Sequence, residues 1–237
     1  MNGNGMHATD KAARIAGATY FSLAFTAPFS LIYIPRTLIV RGDAAATAGN
    51  ILAHETMFRL GIVADLLTSV VFILLVLALH RLLSGVDRRQ ASIMVGFVLV
   101  SAAIGLMNGV NNIAALTLVR GADVLAAFDK PQRDALAMLF VVMHRQGTVV
   151  NELFWGLWLF PFGRLVMKSR FLPRILGAWL IVNGLAYLFL SFTSLLAPAY
   201  EAIFSRIIFP VLFGEMAIAL WLLVRGAGVR PSAAAAT

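Results

Sequence analysis

Between His144 and Trp158, in the stretch HRQGTVVNELFWGLW, an imidazole, a guanidinium and a carboxylate stand in a run that is otherwise apolar enough for a membrane. An imidazole can relay protons near neutral pH, a guanidinium can hold a carboxylate ionised, and a carboxylate in apolar surroundings attracts a cation or a proton. At helical spacing, His144, Arg145, Thr148, Asn151, Glu152 and Trp155 fall within an arc of roughly 120°. Val149, Val150, Leu153, Phe154 and Leu157 lie opposite, with Gln146 the exception. Asp65 and Glu215 are the other acids inside apolar runs, and Asn108, Asn111 and Asn112 form a cluster. An ionisable group at the centre of a span costs about 2.5 to 3.5 kcal/mol on insertion scales, so such groups face the protein interior or a wet cavity.

The expected ligand-binding set is therefore Asp65, Asn108, Asn112, His144, Arg145, Glu152 and Glu215. Asp65, Glu152 and Glu215 supply negative charge, Arg145 pairs with Asp65 or Glu152, His144 relays protons, and the asparagines hydrogen-bond. At about 1.5 Å of rise per residue, Asp65 and His144 lie in the outer half, Glu215 near the middle and Glu152 deeper. That spread fits one cavity opening outward.

Three functions fit these groups. Binding or transport of a small polar or cationic solute leads, since three acids face one arginine and leave surplus carboxylate. An intramembrane enzyme would use His144 with the carboxylates. A structural or accessory subunit would use Arg145 only to neutralise buried charge. Metal ligation is not expected, because His144 and Glu152 are separated by about 12 Å along the helix and no H-E-x-x-H occurs. No cofactor is expected either: a second deep histidine for haem and a deep lysine for retinal are both lacking. Cysteine is absent, which excludes disulfides and thiolate chemistry.

The elements that must position these groups are membrane spans. Of the 237 residues, 60% are hydrophobic and 13% charged, with a mean hydropathy of +0.87, far from the roughly 45–50% apolar and 25% charged of soluble domains. The reading is an all-α, polytopic bilayer protein with six transmembrane helices, in one domain over residues 1–230. Spans are expected at about 15–34, 57–79, 91–119, 135–166, 175–196 and 202–224. The first run is too long for a cleaved signal peptide. Short surface helices are expected in the two longer outer loops: Asp43 caps the alanine-rich one, and Asp129 before Lys130 and Pro131 marks a helix start. Pro210 should kink the last span. Ser101, Gly105 and Gly109 permit close helix approach. Residues Met1 to His7 and the tail Pro231 to Thr237 are expected to be disordered.

A net charge of +8 reflects topology here, not nucleic acid binding, because the basic residues flank the spans. The N-terminus, second loop, fourth loop and C-terminus carry eleven basic residues, against seven on the other side, where six acids offset them. The positive-inside rule then puts both termini in the cytoplasm. Oligomeric state is not legible.

Three strings carry a family resemblance: GDAAATAGNILAHETMFRLGIVADL from Gly42, GADVLAAFD from Gly121 and FLPRILG from Phe171. They resemble the domain of unknown function (DUF4386) family of bacterial membrane proteins. The resemblance implies six membrane helices and a bacterial inner-membrane location; it assigns no substrate and no catalytic residue.

Overall fold

The computed structural model describes residues 3–227, and every regular element among them is helical. Helix α1 (Gly3–Pro28) passes through a π-helical turn (Phe29–Tyr33) into α2 (Ile34–Leu38). The wider turn falls between Pro28 and Pro35, each of which lacks an N–H and crowds the carbonyl one turn back. Helices α3 (Ala44–Ala53), α4 (Glu55–Leu83), α5 (Arg88–Arg120), α6 (Lys130–Lys168) and α7 (Arg174–Leu196) follow, then α8 (Glu201–Ile208) and α9 (Phe213–Arg225).

Helix starts are set by side-chain caps. Asp43 accepts from the Ala46 N–H at 2.8 Å, as expected. Asp129 and Gln132 form a reciprocal capping box. Asp87 caps α5 through the Gln90 N–H at 3.1 Å, while Gly121 ends that helix in the left-handed conformation at φ 71°. The Lys168 ammonium, 2.9 Å from Asp87, ties the end of α6 to the same corner and holds the Asp87 carboxyl below its ordinary range.

Five helical stretches are long and apolar enough to cross a membrane: Thr9–Leu38, Glu55–Leu83, Arg88–Arg120, Arg174–Leu196 and Pro198–Arg225. Helix α6 is the longest, with 39 residues or about 58 Å, but the polar stripe in its middle lowers its hydropathy. The long helices close a ring, α1 against α4, α4 against α5, α5 against α6, α6 against α7, α7 against α9 and α9 back on α1.

Two apolar clusters fill the ring. The larger holds Leu79, Met94, Trp158, Phe162, Leu180 and Ile218; Trp158 is 1% exposed and stacks on Phe162 at 5.2 Å. The smaller gathers Leu38, Ile51, Phe58, Leu116 and Ala137 around α3. Small residues bring backbones together. A Cβ on Gly105 would meet Ser69 Oγ at 2.6 Å, and one on Gly109 would meet the Leu66 side chain at 3.0 Å, so the expected close approach is that of α5 to α4. Between α6 and α7, a Cβ on Gly156 would lie 2.7 Å from the Gly184 carbonyl, and one on Gly163 lies 2.6 Å from that of Gly177.

Three expectations need correction. The second long loop contains a single 3-10 turn, Asp123–Leu125, and not a surface helix; with Gly121 left-handed and a new cap at Asp129, too little chain remains for one. The polar start is helical from Gly3 onward, because it continues the first span without a break; Met1, Asn2 and the tail 231–237 lie outside the described residues. The last span is interrupted more deeply than a kink: α8 gives way to a 3-10 segment, Phe209–Leu212, before α9. Pro210 cannot donate there. Two carbonyls of that segment are taken up by α7 instead, Val211 accepting from Trp179 Nε1 at 2.9 Å and Leu212 from Asn183 Nδ2 at 3.3 Å.

Candidate functional site

A cavity of about 200 Å³ lies inside the ring, and each of its six helices contributes a polar or aromatic wall: Tyr20, Asp65, Ser101, Asn151, Tyr187 and Glu215. Asn108, Ser69, Thr148, Trp155 and Trp158 complete most of the lining. No lysine or arginine reaches it.

The broken last span decides how Glu215 is presented. The 3-10 segment places it in the first turn of α9. The Tyr20 hydroxyl donates to it at 2.5 Å, and Tyr187 faces it as well. No cation among the described residues pairs with it.

Asp65 has a different neighbour. His144 Nε2 stands 3.7 Å from its Oδ2, an ion-pair separation too long for a hydrogen bond. The other ring nitrogen, Nδ1, is 3.2 Å from the Asn108 carbonyl. With Nδ1–H donating there, Nε2 is the nitrogen that faces the Asp65 carboxyl group. Asn108 fixes this corner: its Nδ2 donates to the His144 carbonyl at 2.8 Å and to Thr148 Oγ1 at 3.4 Å, and its Oδ1 accepts from Asn111 at 3.0 Å. Deeper in, the Asn151 side-chain Oδ1 accepts from the Ser101 hydroxyl at 2.8 Å.

The seven expected site residues therefore separate. Asp65, Asn108 and Glu215 line the cavity, and His144 touches it through Asp65. Asn112, one turn beyond Asn108, lines nothing there. Arg145 and Glu152 lie on the edge of the stripe turned towards α8: Arg145 is ion-paired with Glu201, and Glu152 sits within range of both charges. The expected pairing of Arg145 with Asp65 or Glu152 is not formed, because α8 brings Glu201, which lies between the expected fifth and sixth spans, up to the guanidinium. The cavity also takes walls from the first and fifth spans, through Tyr20 and Tyr187. Tyr20 was overlooked; its signal was a phenol in the middle of an apolar run. Among the described residues no three histidine, aspartate or glutamate side chains group closely enough to hold a metal ion.

The family model of the domain of unknown function DUF4386 matches residues 15–226. The chain belongs to that family. The match begins within α1 and runs to the end of α9, so every residue that lines the cavity, from Tyr20 to Glu215, lies in the DUF4386 region. No curated protein matches the chain, and no solved structure does.

Proposed function

We propose that this DUF4386 protein binds and carries a small organic cation, an amine or ammonium ion, in the cavity between its helices. The observation that carries the reading is Glu215: a carboxylate facing the cavity, held by a tyrosine hydroxyl and without a cationic partner among the described residues. Trp155, Trp158, Tyr20 and Tyr187 surround the same space, and aromatic faces beside a carboxylate are what a desolvated ammonium needs. Asp65 on α4, with His144 beside it, supplies the same cavity with a candidate proton relay. The charge-neutralising alternative describes Arg145 and Glu201 well but leaves Glu215 unexplained.

The carrier reading takes α6 as a sixth span. Its polar stripe meets α4 through His144 and Asp65 and α5 through Asn151 and Ser101, and Arg145, half exposed, is paired with Glu201 of α8. Helix ends support one orientation: the Asp87–Lys168 pair joins two expected inner corners, and Arg120 approaches Glu55 at 3.7 Å at the other end. With the basic residues concentrated at the first of these ends, both termini are cytoplasmic in a bacterial inner membrane.

The test is titration of the purified protein with tetramethylammonium, read by calorimetry and by tryptophan fluorescence. Truncating one partner of a buried charge pair costs about 2–5 kcal/mol, so Glu215→Gln should weaken binding by at least roughly thirtyfold. Absence of binding to the wild type, or equal affinity in the variant, refutes the reading.

A further inference from the structure

A second, larger recess of about 380 Å³ lies along the seam between α1 and α9. Its walls are almost wholly apolar, among them Leu23, Ala24, Pro28, Ile32, Phe213 and Met216. Ile32, Phe209 and Phe213 are 40%, 54% and 50% exposed, so the recess opens sideways on the apolar outer surface of the bundle. It is not separate from the polar cavity. Tyr20, Tyr187 and Glu215 line both.

We propose that the two compartments form one site for an amphiphilic cation, whose ammonium group lies against Glu215 and whose hydrocarbon chain lies in the groove between α1 and α9. The proposal rests on the cation-binding reading above and names its ligand class. Charge complementarity selects the head group, because the two compartments share a carboxylate and neither is lined by a basic side chain. Continuity selects the tail, because an apolar channel that begins at that carboxylate and ends at the bilayer suits a chain and not a second polar solute. Such a ligand enters laterally: its tail remains in apolar surroundings throughout, and only the head group crosses from the membrane interior to the carboxylate. The interruption at Phe209–Leu212 is what opens the route, since it carries two of the groove residues away from a straight helical path.

The experiment measures binding of n-alkyltrimethylammonium ions, from methyl to hexyl, to purified protein in detergent, with uptake by protein-free micelles subtracted. Affinity should rise with chain length by up to about fourfold per methylene, the value for complete burial. Ala24→Phe fills the groove at a position that does not line the polar cavity; it should flatten the series while leaving tetramethylammonium binding unchanged. Met216→Phe, at another groove-only position, serves if the first variant does not fold. A flat series in the wild type, or a loss of tetramethylammonium affinity equal to that of the hexyl ion on filling the groove, overturns the amphiphile proposal alone. Failure of every ion in the series to bind overturns the cation reading itself.

Discussion

Replacing Gly147 by alanine should cost far more than a methyl group on a helix normally does, and the cost should vanish when Asn108 is also removed. The added Cβ falls on the Asn108 amide, with Cγ at 2.5 Å and Nδ2 at 2.9 Å. That amide cannot simply swing away, since it donates to the His144 carbonyl and to Thr148 and accepts from Asn111. Interhelical polar bonds in membranes average about 0.6 kcal/mol, with a maximum near 1.7, and overpacking adds about 1–3 kcal/mol. Against this stands a gain of about 0.5–1 kcal/mol for exchanging glycine for alanine within a helix. The expected net loss is about 1–2 kcal/mol. In an Asn108→Ala background the obstacle is gone, and Gly147→Ala should be neutral or stabilising by that helix term. The double-mutant cycle should therefore return a coupling of about 2 kcal/mol, measured by reversible unfolding in mixed micelles and followed by circular dichroism. Equal costs in the two backgrounds would refute the claim that Asn108 and Gly147 interlock α5 and α6 at the cavity.

Two further outcomes are expected. The chain has no cysteine, so single reporters are clean: Ser84→Cys should react with an impermeant maleimide only from the cytoplasmic side and Asp123→Cys only from the other, and labelling of both from one side would remove the orientation. The Asp87 carboxyl, held low first by its hydrogen bond with Lys168 and then by the Gln90 N–H, contributes stability that is present above the ordinary carboxylate value of 3.8 and is lost as the pH falls through its own lower value; hydrogen exchange at the start of α5 should rise in acid, and Asp87→Asn should abolish that dependence.

Much of the fold could be read in advance because apolar runs, prolines and aspartate caps act locally. Asp43 and Asp129 each cap the helix their spacing marked. The partition of the polar stripe was harder, although the helical wheel already held it: His144, Thr148, Asn151 and Trp155 cluster at one side of the arc, with Arg145 and Glu152 at its other edge. What the wheel lacked was the partner, since Glu201 opens α8 beyond the turn Pro198–Tyr200 and meets Arg145 only across the packed helices. Tyr20 escaped for a related reason. A lone phenol has no periodicity, and its role exists only once α1 meets α9, 195 positions away in sequence. The glycine pairs of α6 and α7 were present as two seven-residue spacings, 156 to 163 and 177 to 184, one on each helix, but their meaning required both helices at once.

Those glycines set how the bundle can move. At two levels, one helical backbone rests directly on the other with no side chain between them, so there is no rotamer through which α6 and α7 could slide or splay. They behave as a single double-width strut, to which Ser191 adds a cross-tie by donating to the Val149 carbonyl at 2.8 Å. Under the carrier proposal, a change of shape that opened the cavity would have to hinge elsewhere, and the α1–α9 side, with its proline-interrupted segments and lateral groove, is where the proposal puts it.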